Sequence, residues 1–327
     1  MRVSTSAVAW VALIATALLN LQGAIVRMTG SGAGCGEHWP TCHGEVVPLA
    51  PSMETMLEFG HRLLSLVVLG FGLWLLTRAY RARRLRPGLW YATLGALAFF
   101  VLQSLVGAYT VLAGLTGDND SMLRGVILPI HLINSFSMLG ALTLAILYAR
   151  ERTPGALAIA RYPAVAIVVG LGLLGMYLLT FTGGIAALGN TIFPSESLRE
   201  GIAADFDPAS HPLIRLRALH PLLGATVGIY LFVSLGLVYW LRRTAEVQRA
   251  GQRLLAVYML QLIVGAANLL LLAPMLLQVA HLTVAMLTFV LFVALAANAL
   301  GIGAHVHERA GATSGRQLEA VEGAGAS

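Results

Sequence analysis

Four histidines stand near the starts of long apolar segments: His61 and His131 in the first half of the chain, His220 and His281 in the second. A histidine inside a lipid bilayer is costly without a partner, so each is a candidate functional residue. A lone histidine more often serves as a hydrogen-bonding group between helices. A duplicated quartet at one depth instead favours metal ligands, and haem is the centre that suits two facing histidines. The quartet therefore predicts two bis-histidine haem sites.

One carboxylate accompanies the first histidine pair alone. Glu58 stands three residues before His61, which places it about one helical turn away on the same face. The second half has Arg217 at the same distance before His220. This asymmetry predicts that the first half carries out chemistry and that the second half transfers electrons or supports the structure.

The two cysteines of the chain, Cys35 and Cys42, both lie in the loop between the first two apolar segments. In an oxidising compartment such a pair favours a disulfide. His38 and His43 lie beside them, so a zinc or copper site is the alternative, although the spacing matches no familiar zinc module. We expect a disulfide that closes this loop; a structural pair and a redox-active pair would have the same sequence.

Two arginines flank the cysteine loop. A guanidinium can bind a carboxylate through two parallel hydrogen bonds, so Arg27 and Arg62 are candidates for pairing with haem propionates. The alternative is that these long side chains simply extend from the membrane to its polar interface.

The elements that must position these residues are membrane helices. Hydrophobic residues make up 57% of the chain and charged residues 11%. Eight apolar runs are each long enough to cross a hydrocarbon core about 30 Å thick. They lie near 6–26, 56–77, 89–113, 125–149, 162–186, 214–241, 254–273 and 275–301. The first run resembles a cleaved signal peptide, but its counterpart in the second half predicts that it is retained.

Arginine determines the predicted orientation, because the chain has no lysine. Arginines concentrate near 78–86, 150–161 and 242–253, so the positive-inside rule places these loops and both termini in the cytoplasm. The even-numbered runs then cross inward, and the four histidines lie within their first two turns, toward the outer leaflet. The net charge of +6 follows from this topology and does not indicate nucleic-acid binding.

The two halves of the chain match each other in order. The matched segments are Gln22-Gly23-Ala24-Ile25 with Thr182-Gly183-Gly184-Ile185, and Gln103-Ser104-Leu105-Val106-Gly107-Ala108 with Gln261-Leu262-Ile263-Val264-Gly265-Ala266. Four helices per half predict parallel repeats about an axis along the membrane normal. The predicted fold is an all-α integral membrane protein of two four-helix bundles, with domains 1–150 and 151–304. A disordered cytoplasmic tail is predicted at 305–327.

Together these motifs resemble haem A synthases of the bacterial, cysteine-containing type, the COX15/CtaA family. The resemblance rests on the Gly-x-Ile-Val-Arg-x-Thr-Gly-Ser-Gly run at 23–32, the Cys35 to Cys42 loop with Trp39-Pro40, the Glu58-x-x-His61-Arg62 motif and the three later histidines. It covers nearly the whole chain. The chain departs from the family in having Gly23-Ala24 where Gly-Gly is usual, and no cysteine pair between the fifth and sixth runs.

The resemblance implies a membrane monooxygenase that oxidises a ring methyl of haem O to the formyl group of haem A, by successive hydroxylations, for terminal oxidases. It implies that His220 and His281 hold a haem B. It also implies that His61 and His131 bind haem O, which is the substrate. It also implies a catalytic role for Glu58. If both His61 and His131 bind the substrate iron, no position remains for dioxygen unless one of them leaves.

The resemblance also implies a Cys35–Cys42 disulfide and a location in the bacterial plasma membrane. The implied neighbours are membrane lipid, a haem O synthase that supplies the substrate, and a terminal oxidase under assembly. The sequence does not identify the electron donor.

Two other functions account for part of the pattern. A di-haem cytochrome b that only carries electrons explains the four histidines equally well, but gives no reason for Glu58 or the structured loop. A transporter explains the parallel repeats. Transporters usually bind near the membrane midplane, however, and the strongest polar features here lie toward one face.

Overall fold

The helices of the protein account for most of its length. A computed structural model describes residues 3–150, 157 and 159–302, and this part contains no β-strand. The predicted tail at 305–327 lies outside the described residues. The α-helices are α1 (Thr5–Met28), α2 (Met53–Ala82), α3 (Pro87–Leu112), α4 (Met122–Arg150), α5 (Pro163–Ile192), α6 (Leu198–Phe206), α7 (Pro212–Arg217), α8 (Leu219–Leu241), α9 (Ala245–Leu270) and α10 (Met275–Ala299).

Eight of these segments are long and apolar enough to cross a membrane, with α7 and α8 counted as one span, Pro212–Leu241. The prediction of an all-α membrane protein with eight spans is confirmed. Most helices extend beyond the apolar runs, and α9 begins nine residues earlier than expected. Its first turns are polar, and Thr244 caps them by accepting the N–H of Val247. A hydropathy pattern detects only the lipid-facing part of such a helix.

The earlier helix starts place the histidines further from the helix ends than expected. His61 is the ninth residue of α2 counted from Met53, and His131 is the tenth of α4 counted from Met122. The prediction that all four lie within the first two turns is therefore wrong for the first pair, and also for His220 when it is counted from Pro212, the start of its span. The cause is the polar first turn of α2, which Ser52 caps through the N–H of Thr55.

The helices pack against one another both within and between the halves of the chain. In the first half, α1 packs against α2 and α4, and α3 packs against α2 and α4. In the second half, α5 packs against α8, α8 against α9, and α9 against α10. The halves meet where α4 contacts α5 and α10, and where α1 contacts α10. That an axis along the membrane normal relates the halves as parallel repeats stays a prediction.

Aromatic side chains fill the interface between the halves. Phe136 of α4 packs edge-on against Phe289 of α10 with ring centroids 5.3 Å apart, and Tyr177 of α5 lies 5.8 Å from the same ring. Such pairs contribute about 0.5–1.5 kcal/mol each beyond the area they bury. Phe136 and Phe289 are buried, so the interface continues the core of both halves.

Candidate functional site

Each of the four histidines lies against a glycine of the membrane helix that precedes it. A Cβ atom built on the glycine would lie 2.9 Å from Cε1 for Gly23 and His61, 2.9 Å for Gly183 and His220, 2.8 Å for Gly265 and His281, and 3.5 Å for Gly107 and His131. At the first three positions even alanine would displace the imidazole, so glycine is required by close approach. The four glycines belong to the matched segments, to which the sequence analysis assigned no contact.

The second histidine pair is the better defined. The rings of His220 and His281 lie edge to face, with centroids 6.0 Å apart and planes at 87°. Two imidazoles that share one metal ion, with metal–nitrogen bonds of about 2 Å, have centroids about 6 Å apart. His281 Nδ1 is buried without a hydrogen-bond partner. The spacing of the two rings therefore fits a bis-histidine haem.

Side chains beside the second pair complete its surroundings. His220 Nδ1 lies 3.4 Å from Thr182 Oγ1, the residue before Gly183. Gln261 Nε2 lies 3.2 Å from His281 Nε2, so this amide must turn aside for that nitrogen to bind iron. No group of three or more His, Cys, Asp or Glu able to hold a metal ion occurs in the described part of the chain. A bis-histidine haem needs only two such ligands from the protein.

In the first pair, His61 is held firmly. Its Nδ1 lies 2.6 Å from Gln22 Oε1, and Gln22 Nε2 donates to the carbonyl of Leu57 at 2.7 Å. The bond to Leu57 fixes which end of the amide faces the ring, so His61 Nδ1 carries the hydrogen and Nε2 is free to bind a metal. A ligand histidine is typically oriented in this way through its other nitrogen. Gln22 is a site residue that the sequence analysis missed.

His131 has a different environment. Its Nδ1 is buried without a hydrogen-bond partner. The residue before its glycine is Val106, where Gln22 and Thr182 stand in the corresponding positions beside His61 and His220. The structure thus places both predicted histidines of the first half against glycines, but only His61 has a polar partner.

Glu58 is buried, with 4% of its surface exposed. Its Oε2 accepts the backbone N–H of Cys35 at 2.8 Å, and its Oε1 pairs with the Arg62 guanidinium. Arg62 also donates to the carbonyls of His38, Pro40 and Thr41. The carboxylate is therefore fixed between α2 and the cysteine loop. Arg62 is committed to the loop, and its pairing with a propionate stays a prediction.

Cys35 and Cys42 form a disulfide, with the sulfur atoms 2.06 Å apart, and both residues are fully buried. This confirms the predicted bond. The loop lies on the start of α2, where Thr55 Oγ1 donates to the carbonyl of Gly34 at 2.6 Å. That carbonyl also contacts His43 Nε2 at 2.8 Å, so His43 stabilises the loop.

Arg217, at the position in the second half that corresponds to Glu58, holds the other long loop. Its buried guanidinium pairs with Asp205 and donates to Asn190 Oδ1 at 3.1 Å and to the carbonyl of Gly201 at 3.1 Å. Glu58 binds a backbone N–H, whereas Arg217 binds a backbone carbonyl. The same position thus anchors a loop in each half with opposite charge, and no local sequence signal indicated this role.

Arg27 reaches from the first half to the second. It donates to the carbonyl of Ala187 at 2.7 Å, to Thr191 Oγ1, and to Gln278 Oε1 at 3.0 Å. Its guanidinium therefore joins α1 to α5 and α10 near the disulfide side of the membrane. The pairing of Arg27 with a haem propionate stays a prediction.

Comparison with known proteins shows the family of the chain. The model of the COX15-CtaA family, described as cytochrome oxidase assembly protein, matches residues 6–293. The chain belongs to the COX15-CtaA family. Over 101 residues, or 30% of this chain and 32% of the relative, it is 37% identical to a protein of Shouchella clausii named Heme A synthase. A Staphylococcus aureus protein of the same name is 34% identical over 110 residues, 32% of this chain and 35% of the relative.

A protein of Thermus thermophilus is similar to a longer part of this COX15-CtaA chain. That protein, named Protoheme IX farnesyltransferase, is 42% identical over 300 residues, which is 90% of this chain and 48% of the Thermus protein. The chain thus spans about half the length of the Thermus relative that it matches.

Proposed function

We propose that this protein is a haem A synthase, which oxidises one ring methyl of haem O to a formyl group within the membrane. The observation that carries the proposal is the pairing of histidines on glycines in both halves, with a buried carboxylate beside the first pair alone. Electron transfer alone gives no reason for a carboxylate beside the first pair only; Glu58 also anchors the cysteine loop, a role that both functions would share. The family membership and the two relatives named Heme A synthase support the same activity.

We assign a resident haem B to the second half, with His220 and His281 as its axial ligands. The 6.0 Å spacing of the two rings and the unpartnered His281 Nδ1 support this assignment. Such a haem supplies one-electron transfer when bound. Gly183 on α5 leaves room for the imidazole of His220 on α8. Gly265 on α9 leaves room for the imidazole of His281 on α10.

The substrate haem O binds in the first half through His61 and His131. Each of two hydroxylations inserts one oxygen atom of dioxygen into a C–H bond of the methyl group. Two electrons and two protons reduce the second oxygen atom to water each time. The resulting geminal diol loses water to give the aldehyde. The electrons enter from a donor that the chain itself does not identify.

Glu58 acts on the reacting methyl group of the substrate. Its charge is held in place by the Cys35 N–H and by Arg62, so no reorganisation is needed when positive charge develops on the methyl carbon. Preorganised charges of this kind are commonly the largest contribution to catalysis. The disulfide loop serves to keep this carboxylate in position.

The likeness to the Thermus protein bears on the source of the substrate. Transfer of a farnesyl group to protohaem IX is the chemistry that makes haem O. A chain that matches 48% of a protein named for that transfer supports a haem O synthase as a membrane neighbour. We place the protein in the bacterial plasma membrane with the disulfide side outward, as the arginine distribution indicates. A terminal oxidase under assembly is the expected receiver of haem A.

The test is to express the full chain in a host without haem A, together with a haem O source, and to identify the haems of the purified protein. Haem A or a hydroxylated haem O, beside haem B, is the expected result. Haem B alone, with the supplied haem O unchanged, would replace the proposal by a di-haem electron carrier.

The same host tests a second candidate, farnesyl transfer, which the name of the Thermus relative brings into consideration. With the haem O source removed and protohaem IX and farnesyl diphosphate available, the proposed enzyme makes no haem O. Appearance of haem O that depends on this chain would favour the transferase instead.

A further inference from the structure

We infer that His131 is the ligand that leaves the substrate iron to admit dioxygen, while His61 remains bound as the fixed ligand. The inference rests on the proposed function and adds an order of events at the same site. It assigns Gln22 and Gly23 as positioning residues for His61. The step is a ligand exchange: the bond from iron to the His131 nitrogen breaks, the electron pair stays on that nitrogen, and one position on the iron opens.

The first observation is the fit of each imidazole against its glycine. Three of the four rings are in tight contact, because a Cβ would come within 2.8–2.9 Å of the ring carbon. His131 is the exception, with 3.5 Å to a Cβ on Gly107, an ordinary van der Waals distance. A ring in tight contact on one face cannot tilt toward that face without a clash. Of the four rings, His131 alone has room to move on the side of its glycine.

The second observation is independent of the first and concerns the outer nitrogen of each ring. His61 Nδ1 has a short bond to Gln22, and His220 Nδ1 has a long contact to Thr182. His131 Nδ1 has no partner although it is buried. A hydrogen bond at this nitrogen orients a ligand histidine and strengthens its bond to the metal. His131 lacks both effects.

Gln103, the amide on α3 near Gly107, makes no hydrogen bond to His131 Nδ1. Its Nε2 donates to Ser135 Oγ at 2.5 Å, and its Oε1 accepts from Asn134 Nδ2 at 2.7 Å. Both ends of the amide are therefore engaged by α4.

His281 shares one of these features, since its Nδ1 also has no partner. It differs in the tight contact with Gly265, at 2.8 Å. His131 is thus the one histidine of the four that lacks both the tight glycine and the polar partner. This combination falls in the half assigned to the substrate, where an iron position must open, and is absent from the half assigned to haem B.

The experiment uses the full chain expressed with a haem O source and purified without dioxygen, so that haem O is retained, then reduced and exposed to carbon monoxide. Carbon monoxide reports how readily an iron position opens, independently of turnover. The main variant is Val106→Thr, a change of nearly equal shape that offers His131 the hydroxyl that Thr182 offers His220. One added hydrogen bond of about 1 kcal/mol slows carbon monoxide binding about fivefold. The matched control Val264→Thr, before Gly265, leaves the rate unchanged.

Two further variants test independently which of the two histidines leaves the iron. His131→Ala keeps haem O in the first half as a high-spin species and binds carbon monoxide at least tenfold faster, whereas His61→Ala loses haem O. The inference is overturned if His61→Ala keeps the high-spin haem and His131→Ala loses it, or if Val106→Thr has no effect. A wild-type protein that converts haem O but takes no carbon monoxide would overturn this inference alone. A protein that binds no haem O in the first half would overturn the proposed function as well.

Discussion

The backbone N–H of Cys35 donates a hydrogen bond of 2.8 Å to the carboxylate of Glu58. This contact links the disulfide loop to the helix that carries His61, one turn further along. Both residues are buried, so the bond is not exchanged with water. A change in the loop is therefore expected to act on the candidate site through the position of one carboxylate, and the predictions below follow from this and related contacts.

Replacing Glu58 by glutamine keeps an acceptor for the Cys35 N–H but removes the charge. We expect haem O conversion to fall about 100-fold, because a preorganised charge at the reacting carbon is lost. The haem content of the purified protein should not change. Glu54→Gln, on the exposed surface one turn earlier in α2, is the matched control and should retain activity. Full conversion by Glu58→Gln would show that the carboxylate has no catalytic role.

Replacing Cys35 and Cys42 by alanine removes the constraint on the loop. Closing a loop of this length stabilises the closed form by about 2–3 kcal/mol. Hydrogen exchange measured by mass spectrometry should become faster in the segment 31–45, and haem O conversion should fall with it. Wild-type protein treated with dithiothreitol should behave like the double variant. Unchanged exchange in both samples would mean that the other contacts of the loop are sufficient.

Gly183→Ala places a methyl group 2.9 Å from His220 Cε1. Overpacking of this kind costs about 1–3 kcal/mol, and the imidazole must shift. We expect the affinity for haem B to fall about tenfold and the low-spin absorption bands to weaken. Gly170→Ala, on the same helix with no atom within 4 Å of the added Cβ, should retain haem B and should not lower stability. Equal spectra from the two variants would contradict the role given to Gly183.

Arg27→Leu removes the guanidinium that joins the halves through Ala187, Thr191 and Gln278. Hydrogen bonds from a charged group contribute about 1.5–3 kcal/mol each, so the thermal unfolding midpoint in detergent should fall by several degrees. Arg215→Leu, at an exposed position, should leave the midpoint within experimental error. An unchanged midpoint in Arg27→Leu, with a loss of haem instead, would favour the predicted pairing with a propionate.

The sequence alone identified the four histidines, Glu58 and the cysteine pair as candidate site residues. A charged or ionisable side chain stands out in an apolar run, because lipid makes it costly unless it has a use. The same contrast located all eight membrane helices. Helix ends were less well predicted, as at α9, because polar first turns such as 245–253 have no hydropathy signal.

The contacts around the histidines were not predictable in the same way. The matched segments already contained Gly23, Gly107, Gly183 and Gly265, yet nothing in them showed that each glycine receives an imidazole. The sequence also did not show that Gly107 makes the loosest of these contacts, with 3.5 Å between a Cβ built on it and His131 Cε1. Arg217 was noted only as the residue that replaces Glu58. Its role in holding a loop depends on Asp205 and Gly201, which lie on a different helix, α6, 12 and 16 residues earlier in the chain.

The sequence by itself determined which segments are membrane helices and which residues are chemically notable on them. It could do so because backbone groups in lipid must be satisfied within a helix, whatever the neighbouring helices are. Only the tertiary structure decided that His61 is anchored by Gln22 while His131 has no polar partner. That difference depends on the rotation and depth of each helix in its pair. The rotation and depth of a helix are set by packing across its whole face and not by any single residue.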